Sequence, residues 1–169
     1  MNFKKIICYP PLLGGVGAGV TIAILAYITF QSILSGENYG LWLVTTFGST
    51  VVLVFGYPEN NFAQPKNVLL GHLLCTLVGI IFVTLFKITQ DKSIFFLAIG
   101  LAVGLSVMLM MAFKITHPPA GGNTIIVMIA QDSFQFLIFP IMVGAITIII
   151  GGVIYNRFIL KKNYPLKWL

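Results

Sequence analysis

This chain is short of charge, and of carboxylates most of all. Only 8% of its 169 residues are charged, and just four of those are acidic. Soluble domains carry about 25% charged residues, so a soluble core protein is excluded. The four acids, Glu37, Glu59, Asp91 and Asp132, lie between apolar runs and never inside one. That placement removes several functions at once. A cation site at membrane depth, a carboxylate proton relay and an intramembrane enzyme built on paired carboxylates all lack their key groups. Cysteine is also scarce. Cys8 and Cys75 show no metal-binding spacing, and both read as small apolar fillers. No nucleophile–base pair stands inside an apolar run, so neither an enzyme nor a metal or other cofactor is expected.

What is present is hydrophobicity, at 58% of the chain. Residues 6–36, 38–58, 67–86, 93–113, 115–131 and 133–156 contain no Asp, Glu, Lys or Arg. A charge at the bilayer centre costs roughly 2.5–3.5 kcal/mol even on lenient insertion scales. A chain that confines its charges to the gaps is written for lipid, as a single all-α polytopic membrane domain over 1–169. Met1-Asn-Phe-Lys-Lys imitates the basic region of a signal peptide. The apolar run after it is too long and holds no Ala-x-Ala site, so it reads as the first transmembrane helix.

The net charge of +6 sits mainly at the two ends. Lys4 and Lys5 precede the first run; Arg157, Lys161, Lys162 and Lys167 follow the last. This is positive-inside anchoring rather than a nucleic-acid patch. A span needs about 20 apolar residues, and five runs are long enough. The run 115–131 opens with Thr116-His117-Pro118-Pro119-Ala120-Gly121-Gly122, where two prolines and two glycines oppose a regular helix. The element either crosses as an extended peptide plus a half-helix, or dips in and returns. Crossing keeps both termini and their basic residues on the cytoplasmic side, so crossing is favoured. Lys66 and Lys114 then lie on the inner side, Glu37 and Asp132 on the outer. Trp42, Tyr57, Tyr155 and Trp168 fall near interfaces.

The chain also reads as written twice. Phe47-Gly48-Ser49-Thr50-Val51-Val52-Leu53 resembles Gly121-Gly122-Asn123-Thr124-Ile125-Ile126-Val127. Each is followed by a polar loop, a proline (Pro65, Pro140) and a helix with glycines eight apart: Gly71 and Gly79, then Gly144 and Gly152. Each is preceded by a Gly-x-x-x-Gly helix, Gly15/Gly19 and Gly100/Gly104. Residues 11–87 and 93–157 thus form two three-element repeats, with a basic tail at 158–169. Three crossings per unit invert the second repeat relative to the first. The second and fifth elements are expected to break into half-helices that begin near Gly48 and Gly122 and meet midway.

Helix N-termini carry free N–H groups and about +0.5 charge. Two such ends face to face make a donor-rich cavity suited to a small monovalent anion. The expected substrate-binding residues are Gly48, Ser49, Thr50, His117, Gly121, Gly122, Asn123 and Thr124. Capping and helix–helix contacts would use the same groups. His117 could serve a proton-coupled cycle or simply cap a loop carbonyl. His72 reads as a helix–helix hydrogen-bond partner. Lys66 and Lys114 could funnel anions or merely anchor the topology. Gln64 and Asn67 bracket Pro65 and are placed to satisfy broken backbone.

The segment Thr116-His-Pro-Pro-Ala-Gly-Gly, ahead of a short apolar helix, resembles the signature of the HPP family of integral membrane proteins. The run Ala63-Gln64-Pro65-Lys66-Asn67, followed by Gly71-His72, looks like that family's second marked region. The resemblance covers roughly residues 10–160. Members from cyanobacteria and plastids are regarded as nitrite transporters, so the resemblance implies a small-anion transporter, with nitrite the first substrate to test. A bacterial cytoplasmic membrane is the expected location. A channel of other selectivity and a non-transporting assembly or sensory subunit are the competing readings. Small size and glycine faces admit a homo-oligomer.

Overall fold

The computed structural model describes residues 10–34, 44–89, 92–131 and 134–168. Lys4, Lys5, Cys8, Glu37, Trp42, Asp91 and Asp132 lie outside the described residues. The described residues are helical, with no strand among them. Four helices are long and apolar enough to cross a bilayer. They are α1 (Pro10–Leu34), α3 (Pro65–Thr89), α4 (Phe95–Ala112) and α6 (Phe134–Ile159). Two short helices lie between them. α2 is Thr45–Val51 and runs on as a π-helix over Val52–Gly56. α5 is Gly121–Ala130. At 1.5 Å per residue, neither short helix covers the roughly 30 Å of hydrocarbon alone.

Local sequence sets the element ends. Pro65 opens α3, where a missing N–H costs nothing and its fixed φ suits a first helical turn. Pro118 and Pro119 start a 3₁₀ turn, Pro118–Ala120, that leads into α5. α5 stops at Gln131, which turns left-handed at φ 53°. The two prolines of the repeat pattern behave differently. Pro140 does not open a helix; it lies within α6. Phe139 before it leaves helical geometry at φ −122° and ψ 113°, as the crowding ahead of a proline ring favours. α6 is therefore kinked near its start.

The bundle buries hydroxyls and some of its glycines beside an apolar core, and turns many further large apolar side chains outward. Leu12, Val16, Val20 and Ile24 form an exposed stripe at four-residue spacing on α1. Phe96, Leu101, Met108 and Met111 are likewise exposed on α4. Half of α3 is buried against 17% of α4, so α3 is central and α4 peripheral. In water these surfaces would be an aggregation hazard; in a bilayer they meet lipid. The chain is a multi-pass integral membrane protein.

One apolar cluster joins α1, α2, α6 and the tail through Leu25, Phe47, Val54, Phe55, Ile148 and Tyr164. A second joins α3, α4 and α5 through Val78, Val83, Ala102, Val127 and Met128. The spaced glycines set these contacts. Gly71 and Gly79 of α3 receive His117 and Val127, while Gly144 and Gly152 of α6 receive Phe47 and Val54. A Cβ on Gly15, Gly19, Gly100 or Gly104 would instead meet nothing within 4 Å among the described residues, so these Gly-x-x-x-Gly faces are open there.

The first turns of α1 and the last turns of α6 share one end of the bundle. Tyr155 Oη donates to the Leu13 carbonyl at 2.7 Å. The tail folds back beneath that end. Tyr164 is buried and donates to the Ala63 carbonyl at 2.9 Å, and Leu166 N–H donates to Gln64 Oε1 at 2.8 Å.

Candidate functional site

The two short helices begin against each other and run apart. Thr46, in the first turn of α2, donates through Oγ1 to Asn123 Oδ1 of α5 at 2.7 Å. A Cβ on Gly122 would lie 2.8 Å from the Thr46 methyl. From there α2 follows α6 toward the end that holds Tyr155, with Phe47 at Gly144 and Val54 at Gly152. α5 follows α3 the other way, with Val127 at Gly79. Lys87, near the end of α3, reaches the Gln131 carbonyl just past α5.

A line of buried polar side chains crosses this junction. His117 Nδ1 lies 2.7 Å from the Phe62 carbonyl, and its Nε2 lies 3.1 Å from Thr50 Oγ1. Thr50 Oγ1 is also 3.0 Å from His72 Nε2. His72 Nδ1 is 2.8 Å from Asn123 Nδ2, which also donates to Thr76 Oγ1 at 3.1 Å. His72, His117, Thr50, Thr76 and Asn123 are all fully buried.

The proton positions follow from the hydrogen-bond network. Thr76 spends its hydrogen on the His72 carbonyl at 2.8 Å. It must therefore accept from Asn123, which fixes the amide nitrogen on that side. The same nitrogen donates to His72 Nδ1, so a neutral His72 carries its proton on Nε2. The Phe62 carbonyl can only accept, so His117 carries its proton on Nδ1. Thr50 then accepts from His72 and donates to His117. With both rings neutral, every link has one donor and one acceptor. An orphaned group here would cost about 1–3 kcal/mol.

The expected site residues divide by environment. Thr50, His117 and Asn123 meet in this line. Thr124 lies beside it, donating to the Cys75 carbonyl at 2.9 Å and pairing with Ser106 at 2.8 Å. Gly48 and Ser49 are exposed on the opposite face of α2. Gly121 has open space beside it, whereas Gly122 is packed on Thr46. α2 starts at Thr45, three residues ahead of the expected Gly48. The backbone amides ahead of α5 are also less available than its sequence implied. Ala120 N–H donates to the His117 carbonyl and Gly121 N–H to the Pro118 and Pro119 carbonyls, and the prolines have no N–H to offer. Two of the backbone amides expected there are therefore already paired within the turn.

Sequence reasoning missed Thr46, Thr76 and Ser106. A signal was available for Thr76: it stands four residues after His72, on the same face of α3.

Above His117, at the end of the bundle that holds the tail, an open cavity of about 620 Å³ is lined by Lys66, Lys114 and Lys167 with Gln64, Asn67 and Thr116. Among the described residues, no carboxylate side chain lines it. Asn67 Nδ2 donates to the Thr116 carbonyl at 2.9 Å, and Gln64 Nε2 donates to the Pro58 and Asn60 carbonyls. Phe62, whose carbonyl accepts from His117, is part of the cavity wall. Three lysines thus line a cavity whose wall includes Phe62, the residue hydrogen-bonded to His117.

The description "HPP, transmembrane region" matches residues 7–165 of the chain. Among curated proteins, the chain is 32% identical over 151 residues to a transmembrane protein of Dictyostelium discoideum, covering 87% of this chain and 52% of that one. A second transmembrane protein of the same organism is 30% identical over 154 residues, covering 88% of this chain and 48% of that one. The chain spans about half the length of the curated relatives it matches. No solved structure matches.

Proposed function

The chain belongs to the HPP family of integral membrane proteins, and on that footing we propose that it transports a small monovalent anion, with nitrite the first substrate to test. The observation that carries this reading is the basic vestibule. Lys66, Lys114 and Lys167 line one cavity that abuts the Phe62–His117 contact, and no carboxylate side chain among the described residues lines it with them. Convergent like charges in a low-dielectric mouth raise the local concentration of counter-ions. An anion of the nitrite class would be drawn there and handed to the donors of the junction. The absence of any carboxylate from the apolar runs agrees with this and argues against a cation carrier.

The architecture supports the same reading. Helices α2 and α5 serve as oppositely directed half-helices of two inverted repeats, 11–87 and 93–157. Many transporters bind substrate where such broken helices meet near the bilayer midplane. The glycine pairs of α3 and α6 each seat the broken element of the other unit, as two interlocked repeats would. The protein acts as a carrier or channel and not as an enzyme. It sits in a bacterial cytoplasmic membrane with both termini inside. The open Gly-x-x-x-Gly faces of α1 and α4 are available to a second copy.

A non-transporting membrane subunit is the second reading. The His–Thr–Asn line is hydrogen-bonded throughout without a ligand, which such a subunit would also show. Anion flux in proteoliposomes separates the two. Nitrite, nitrate, formate and chloride should be compared at alkaline and at mildly acidic pH, with entry into protein-free vesicles subtracted as passive entry of the free acids. Saturable, selective flux supports transport. Well-folded protein that moves none of them supports the subunit.

A further inference from the structure

The Thr50 hydroxyl has one hydrogen and two acceptors for it. His117 Nε2 lies 3.1 Å away and the Thr46 carbonyl 3.0 Å away. In the neutral line the hydrogen points to His117. Suppose a proton adds to His117 Nε2. The imidazolium keeps Nδ1–H on the Phe62 carbonyl and now donates from Nε2 to Thr50. Thr50 answers by rotating its hydrogen to Thr46. Its oxygen has two lone pairs, so it accepts from both His72 Nε2–H and His117 Nε2–H. No donor or acceptor is orphaned in either state, and no helix has to move.

We propose that His72, Thr50 and His117 form a proton-binding site with two hydrogen-bonded states switched by the Thr50 hydroxyl, and that the transported anion moves together with that proton. The second half rests on the transport reading above. Charge bookkeeping motivates it. One proton added to His117 makes one buried cation, and one monovalent anion neutralises it. The pair crosses as a neutral unit, so the buried line is never left holding an uncompensated charge. Carboxylates, the usual intramembrane proton carriers, are missing from every apolar run, which leaves the histidines as the groups able to titrate.

The surroundings bear on this charge. His72 on α3 is the titratable group linked to His117 through Thr50, their ring centroids 5.0 Å apart. α3 also contributes Lys66 at the vestibule and Cys75, whose Sγ donates to Met110. The link after α4 contributes Lys114, and the tail contributes Lys167 and the buried Tyr164. The loop ahead of α3 carries Tyr57 and Glu59, both exposed. α2 offers no titratable side chain among its described residues. The charged side chains of the cavity next to His117 are thus all lysines among the described residues, so its protonated form needs an anion close by.

Ring ¹⁵N NMR on the full chain in liposomes tests the site, with nitrite and proton uptake recorded on the same vesicles. The chain has two histidines, so a His72→Gln sample assigns both. At alkaline pH His72 should appear as the Nε2–H tautomer and His117 as the Nδ1–H tautomer. On acidification His117 should become doubly protonated. Thr50→Val should weaken its proton affinity at least tenfold, and Thr50→Ser should restore it. Nitrite entry should carry one proton per anion and ignore an imposed membrane potential. Either ring in the other tautomer, or a His117 titration indifferent to Thr50→Val, overturns the proton site. Electrogenic nitrite flux without proton movement overturns the coupling and leaves transport standing. Correct tautomers with no flux of any anion overturn the transport reading and the coupling with it.

Discussion

Gly71 and His117 are in direct register: a Cβ on Gly71 would lie 2.8 Å from the Cβ of His117 and 3.3 Å from the Ile115 carbonyl. The glycine of α3 therefore seats the histidine that precedes α5. The same face of α3 then presents His72 to Thr50. The position of the histidine pair depends on that close approach, because any side chain at 71 would push the extended segment off α3.

Gly71→Ala should accordingly destabilise the protein by about 1–3 kcal/mol, the usual cost of overpacking. Gly100→Ala, with nothing within 4 Å of its new methyl, should be neutral or slightly stabilising. Thermal unfolding in detergent checks both. Equal midpoints for the two variants would contradict the packing described for α3.

Asn123→Leu keeps the approximate volume and removes three hydrogen bonds. Thr46 Oγ1, His72 Nδ1 and Thr76 Oγ1 each lose a partner. A loss of about 2–5 kcal/mol is expected for several buried groups orphaned together. Asn123→Gln should fail as well, since the amide is fixed on both sides. A variant that unfolds at the wild-type temperature would mean the line is filled by water.

Lys66→Gln, Lys114→Gln and Lys167→Gln should each raise the half-saturating anion concentration several-fold at low ionic strength. The difference should shrink as salt rises, because exposed charges are screened over about 8–10 Å at physiological ionic strength. Maximal rates should change little. Uptake measured against anion concentration at two salt levels makes the comparison. A fall in maximal rate with unchanged half-saturation would place the lysines elsewhere in the cycle.

Tyr164→Phe removes the bond from the tail to the Ala63 carbonyl while keeping the buried ring. A cost of about 1 kcal/mol is expected. Faster proteolysis of the residues after Leu160 should accompany it. Burial also raises the phenol's pKa above its usual value, so this anchor should hold through ordinary alkaline titration. An unchanged cleavage rate would show that Gln64 holds the tail without help.

Much of this arrangement is legible in the sequence because lipid makes charge expensive. The apolar runs around α1, α3, α4 and α6 follow directly from where Lys and Asp are permitted. The glycine spacing of α3 and α6 was readable too, since close helix approach needs a missing Cβ. The details of the junction were hidden for physical reasons. Thr46 and Thr76 look like ordinary helix hydroxyls, and only their partners Asn123 and His72 reveal them. Pro118 and Pro119 mark a broken element, but they also remove N–H groups, while the 3₁₀ turn spends those of Ala120 and Gly121. Pro140 matched Pro65 in pattern, yet one kinks a helix and the other opens one.

The most direct test is nitrite uptake, with and without an inward proton gradient, by vesicles holding wild-type protein, beside His117→Gln and protein-free vesicles. The account predicts saturable uptake by the wild type, at least tenfold slower uptake by a His117→Gln variant with a wild-type unfolding profile, and background only without protein. Equal uptake by the variant and the wild type would contradict it.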